Sequence, residues 1–127
     1  MNKIRTHILT LLLIIFSSKS FAEFTAVMSC EFNNAHTNIY VCFMGDYVET
    51  EIELRNYGNI NIYKAYQLQS LGYETYEGFE FTLSDSFHLI AQNASDYMIL
   101  RLRIYDSDYN LVFEDVASQY DVINVKN

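Results

Sequence analysis

Residues 47–55 read Tyr-Val-Glu-Thr-Glu-Ile-Glu-Leu-Arg, and their alternation decides the fold class. Val48, Thr50, Ile52 and Leu54 recur at every second position, with Tyr47, Glu49, Glu51, Glu53 and Arg55 between them. Successive side chains of a strand point to opposite faces. The pattern therefore specifies an antiparallel strand with one face on a core and the other in water.

The same period of two extends outward in both directions. Asn56-Tyr57-Gly58-Asn59 supplies a turn, since Gly and Asn tolerate positive φ. Ile60, Ile62, Tyr66 and Leu68 resume the alternation, although residues 64–71 also read as a short helix ended by Gly72. Residues 72–78 are polar, aromatic and bounded by glycines, which indicates a loop. Phe79, Phe81 and Leu83 mark a strand, Phe87, Leu89 and Ala91 another. In residues 97–105 Met98, Leu100, Leu102 and Ile104 face inward, with Arg101 and Arg103 outward. Residues 106–110 form a turn, and residues 111–116 and 120–125 are further strands. On the N-terminal side residues 24–32 and 39–44 also read as strands, joined by the polar stretch 33–38. Eight to nine short strands with little helix predict an all-β antiparallel sandwich or small barrel.

The chain has 127 residues, 50% hydrophobic and 16% aromatic, which suits one folded domain and excludes a disordered acidic tail. Residues 1–22 have the layout of a cleavable signal: Lys3 and Arg5, an apolar run over residues 8–16, then Ser20-Phe21-Ala22. That run rises only about 14 Å as a helix, roughly half the hydrocarbon core. A periplasmic or secreted domain over residues 23–127, free of the membrane after signal removal, is the expectation. All sixteen acids lie after Ala22 and three of the eight bases before Glu23, so residues 23–127 carry −11 with His neutral. Such a charge repels nucleic-acid phosphates and anionic lipid.

In an oxidising compartment Cys30 and Cys42 read as a disulfide closing the hairpin. His36 lies midway between them, but the spacing matches no zinc pattern and supplies only three ligands. No metal or other cofactor is expected. The chain has no nucleophile elbow, zinc-protease motif or phosphate-binding glycine loop, and so no catalytic residues are assigned. A glycosidase would need only two acids at a suitable separation, and sixteen acids single out no pair. Asp106-x-Asp108-x-Asn110 copies half a calcium loop, but Leu111 and Ala117 break the second half, which favours a plain hairpin turn. Two features point to partner binding. Glu49, Glu51 and Glu53 form an acidic stripe suited to steering a basic protein. Tyr73, Glu74, Tyr76 and Glu77 interleave aromatic anchors with acids in the Gly-bounded loop.

A signal, a small acidic β-rich domain and a disulfide hairpin together resemble the small periplasmic inhibitors of cell-wall hydrolases. These include lysozyme inhibitors and the immunity proteins against type VI secretion effectors. The resemblance is one of size, charge and layout, and it carries no residue over by position. It implies a non-catalytic binding protein that occludes the cleft of a basic hydrolase or toxin. The alternative is a structural or adhesive β-sandwich module, calcium-dependent in one version; a homodimer is compatible with either.

Overall fold

The computed structural model describes residues 23–127. The signal expected over residues 1–22 lies outside the described residues.

Among the described residues ten strands form two open antiparallel sheets. In chain order they are β1 (Phe24–Phe32), β2 (Ala35–Thr37), a helical turn α1 (Tyr40–Phe43), β3 (Glu51–Asn56), β4 (Asn59–Lys64), a 3-10 helix (Ala65–Ser70), β5 (Tyr73–Glu74), β6 (Phe79–Leu83), β7 (Phe87–Gln92), β8 (Ile99–Tyr105), β9 (Leu111–Ser118) and β10 (Val122–Lys126). One sheet runs β5-β6-β1-β8-β9, with β2 paired to the end of β1. The other runs β10-β7-β3-β4. The architecture is a sandwich, not a barrel. Between the sheets lie Met28, Ile52, Leu54, Phe79, Leu89, Leu100, Leu102 and Ile104, all essentially inaccessible to water.

The alternation that defined β3 is realised from Thr50 onward. Ile52 and Leu54 are buried, and the Thr50 hydroxyl donates to the Gln92 carbonyl at 3.0 Å. Val48 is exposed, because β3 begins only at Glu51 and residues 44–49 leave the sheet as a loop. Backbone bonds from Gly45 N–H to the Val48 carbonyl and from Thr50 N–H to the Phe43 carbonyl close that loop. Gly45 lies so near the Ala94 carbonyl that a Cβ there would stand 1.9 Å from its oxygen.

The expected strand over residues 39–44 is instead the turn α1. Ile39, Cys42 and Phe43, spaced three and four apart, are all buried, which is a helical face and not a strand face. Asn38 and Glu74 cap the turn: Tyr40 N–H donates to Asn38 Oδ1 and Ile39 N–H to Glu74 Oε1, both at 2.9 Å. The hairpin partner of β1 is therefore the short β2, with Cys30 opposite Thr37. The Cys30–Cys42 disulfide forms all the same, with the Cα atoms 5.7 Å apart. It ties β1 to α1 rather than strand to strand.

The alternation of residues 60–68 divides at Lys64. The turn between β3 and β4 has positive φ at both Tyr57 and Gly58, as a two-residue hairpin requires. This register sets Ile60 opposite Arg55 and Ile62 opposite Glu53, on the outer face, so both isoleucines are exposed. From Ala65 the chain turns into the 3-10 helix, which buries Leu68 and leaves Tyr66 in water. Within the expected loop 72–78, Tyr73 and Glu74 pair with β6. The two short strands β2 and β5, less the lost strand at 39–44, bring the count to ten.

Candidate functional site

The five Lys and Arg of residues 23–127 all belong to strands. On the six-stranded sheet Arg101 Nε meets Glu31 at 2.7 Å, while Arg101 Nη1 and Arg103 Nε share Glu114 at 3.4 and 2.9 Å. The hydrogen bond to Glu31 raises the Arg101 pKa further above its ordinary value, against the opposing effect of partial burial. On the four-stranded sheet Lys64 lies 4.0 Å from Glu51 and Arg55 4.0 Å from Glu53. Pairs of this kind add little stability. They use all the bases of the described residues except Lys126 on Glu31, Glu51, Glu53 and Glu114, and leave Glu74, Glu80 and Asp115 on the six-stranded sheet and the acids of the loops without a basic partner.

The expected binding residues do not form one surface. Glu51 and Glu53 lie on β3, on the outer face of the four-stranded sheet, each beside a base. Glu49 sits in the preceding loop, bridged to Met44. Tyr73 and Glu74 belong to β5 of the other sheet, and Tyr76 and Glu77 to the turn after it. Glu74 is committed to capping α1. The turn is held by Thr75, whose hydroxyl donates to the Gly78 carbonyl and accepts from Glu77 N–H, and by His36 Nε2 against the Tyr76 carbonyl. Tyr73 and Tyr76 point outward, 62% and 95% exposed. Across the sheet face Tyr109 stacks on Tyr105 with centroids 5.5 Å apart. The charge of Glu80, then partial burial and the charge of Glu77, push the Tyr109 hydroxyl above its usual pKa.

A denser surface lies at the end of the sandwich where β1, β7 and β9 finish. Three loops meet there: residues 44–49, 93–98 and 119–121. Ala94 N–H donates to the Cys42 carbonyl, Asn93 N–H to the Asp121 carbonyl and Gln92 Nε2 to the Tyr120 carbonyl. Asn93, fully buried, clamps the middle loop by donating to the Met98 and Ala117 carbonyls and accepting from Ser95 N–H. On this support Phe32 packs edge-on against Tyr97, with centroids 5.9 Å apart. Tyr120 lies near Asp96, Asp46 and Tyr47. Interaction with the Asp96 carboxylate, then partial burial and the charge of Asp46, raise the Tyr120 pKa. Tyr47 is 90% exposed, and Met44 and Val48 beside it are also in water. The result is an aromatic and apolar surface set among Asp46, Glu49, Asp96 and Asp121, with no Lys or Arg in its loops.

Sequence reasoning assigned none of these aromatics to a site. The signal was present as Asp46-Tyr47, Asp96-Tyr97 and Tyr120-Asp121, an acid next to a tyrosine in three separate turns. Tyr47 read as part of a strand face, and Tyr97 and Tyr120 as the first residues of strands.

The opposite end offers a shallower chemistry. A groove of about 600 Å³ there is lined by Arg55, Tyr57, His88 and Lys126, with Asp85 its single acidic side chain, so it presents no carboxylate pair. His88 Nε2 lies 2.8 Å from Asn124 Oδ1. Asp106 spends one carboxylate oxygen on the N–H groups of Asp108 and Asn110, both at 2.9 Å, which closes the hairpin turn. Among the described residues no three His, Cys, Asp or Glu side chains converge on a metal position, and no helix is long and apolar enough to cross a membrane. No protein-family model, curated protein or solved structure matches the chain.

Proposed function

We propose that this protein is an exported, non-catalytic binding protein that captures a basic protein, and that its partner is a cell-wall hydrolase or toxin whose cleft it covers. The observation carrying the proposal is the end surface built from Tyr47, Tyr97, Tyr120 and Phe32 among unpaired acids. Tyrosine gives large contact area at low entropic cost. Unpaired acids around it speed encounter with a positive surface and reject negative ones. The loops bearing it are pinned to one another by buried hydrogen bonds, so little ordering remains to be done on binding. Export is supported by the disulfide between two fully buried cysteines and by the signal-like residues 1–22.

The test measures binding of residues 23–127 to a panel of secreted basic peptidoglycan hydrolases, with inhibition of cell-wall cleavage as the second readout. Retention at low ionic strength, loss of affinity on Tyr47→Ala and Tyr97→Ala, and unchanged binding on Tyr66→Ala are expected. Absence of any retained hydrolase, or equal binding by all these variants, would overturn the reading.

A further inference from the structure

The edges of the two sheets are not equally guarded. β5 and β2 are strands of two and three residues. β9 carries Glu114 and Asp115 in its middle and a register irregularity against β8. β10 ends on Lys126 and runs beside β9. Short length, charge and bulges are the usual protections of an edge. β4 has none of them before Lys64: it is six residues long, reads Asn-Ile-Asn-Ile-Tyr-Lys, and among the described residues pairs only with β3.

The register shows which of its backbone groups are free. Asn56 and Asn59 close the two-residue hairpin, so Asn59, Asn61 and Tyr63 turn their N–H and C=O toward β3. Ile60, Ile62 and Lys64 turn theirs away. The Lys64 N–H confirms this direction, since it is taken by the Gln67 side chain at 3.1 Å. Ile60 and Ile62 remain, 59% and 55% exposed, with open donors and acceptors between two apolar side chains.

We infer that this edge pairs with a second copy of the chain, β4 antiparallel to β4, about a two-fold axis at Asn61. The motif Ile60-Asn61-Ile62 is its own mirror under that operation. Ile60 of one copy faces Ile62 of the other, exchanging both backbone hydrogen bonds, and the side chains form cross-strand apolar pairs. Asn61 faces Asn61 as the close, non-hydrogen-bonded pair. Charge also selects a second copy. A domain at −11 repels itself over most of its surface, but the outer face of this sheet holds Arg55, Lys64 and Lys126 against Glu51 and Glu53. On this face two copies meet without local repulsion added to that of their net charge. The inference is independent of the proposed function.

The test is sedimentation velocity on residues 23–127 across a concentration series. A monomer–dimer equilibrium is expected, abolished by Ile62→Lys and unaffected by Val116→Lys on β9, with unfolding midpoints confirming that both variants fold. Asn61→Cys, held in a glutathione redox buffer, is expected to form a covalent dimer, because that pair lies within disulfide reach. Ile60→Cys is expected not to, since its symmetry mate lies two residues out of register. A monomer at every concentration, a dimer that survives Ile62→Lys, or cross-linking at residue 60 in place of 61 would overturn the inference.

Discussion

Reducing the disulfide gives the most direct measure of how the end loops are held. Cys30 and Cys42 are twelve residues apart and fully buried, and they join β1 to α1, from which residues 44–49 depart. Closing a loop of this length removes unfolded-state entropy worth about 3 kcal/mol. For a domain of this size that corresponds to a fall in Tm of roughly 12–24 °C. Reduction leaves both sulfur atoms in the core, so it reports the cross-link alone. The Cys30→Ala/Cys42→Ala chain also empties two packed positions and should fall by about 1–2 kcal/mol more. The assay is thermal unfolding by circular dichroism with thiol counting, alongside amide exchange. Exchange should accelerate first in residues 41–50, since α1 is a single turn whose remaining anchors are the Ile39 and Phe43 side chains, the Glu74 and Asn38 caps and the bonds of its Cys42 and Phe43 carbonyls to Ala94 and Thr50 N–H. A fully reduced chain melting within a few degrees of the oxidised one would refute the reasoning, because the turn would then be fixed by packing and capping alone.

Asn93→Ala should cost about 2–4 kcal/mol, since it orphans the Met98 and Ala117 carbonyls and Ser95 N–H in the interior. The near-isosteric Asn93→Asp should cost more at neutral pH, because a carboxylate cannot donate to those carbonyls; chemical denaturation of the two variants distinguishes them. Tyr57, Tyr109 and Tyr120 all have pKa values raised above 10.0, Tyr57 chiefly by burial and then by its hydrogen bond to Glu23. A raised folded-state pKa means that their contribution to stability is fully present below pH 10 and is lost as pH rises through the folded values. Tyrosinate absorbance should therefore show a late phase, and Tyr120→Phe should reduce its amplitude; an unchanged late phase would contradict the assignment.

The fold class was legible because it rests on period-two alternation, which β3, β6, β7 and β8 display without interruption. One element and the facing of another differ from the expectation, for separate reasons. Ile39, Val41 and Phe43 alternate like a strand, while Ile39, Cys42 and Phe43 recur like a helix, and five residues are too few for the two periods to separate. Glu74, thirty-five residues away, supplies one of the caps that settle it. Ile60 and Ile62 alternate correctly yet face water, because the hairpin register ties them to Arg55 and Glu53, and alternation alone does not say which face is inside. The acidic stripe was legible as a pattern but not as a charge. Lys64 reaches Glu51 only through strand pairing. The end surface escaped because its tyrosines come from loops distant in sequence, which local reading examines one at a time.

The two proposed surfaces carry opposite electrostatic signs of interaction, and salt separates them. Capture of a basic partner by Asp46, Glu49, Asp96 and Asp121 is an attraction across solvent. Its association rate should fall as ionic strength rises and the Debye length shrinks to about 8 Å and below. Pairing through β4 brings together two domains of like net charge by backbone hydrogen bonds and isoleucine contact. Screening removes the long-range repulsion and leaves those contacts intact, so self-association should strengthen over the same range. The β4 edge lies along the side of the sandwich and the tyrosine surface at its end, so one protein can show both trends at once. Measured together on residues 23–127, rising dimer affinity with falling partner affinity is the expected pair. Two curves of the same slope would mean that a single surface serves both interactions, and the difference in charge between the β4 sheet face and the end loops would not govern recognition.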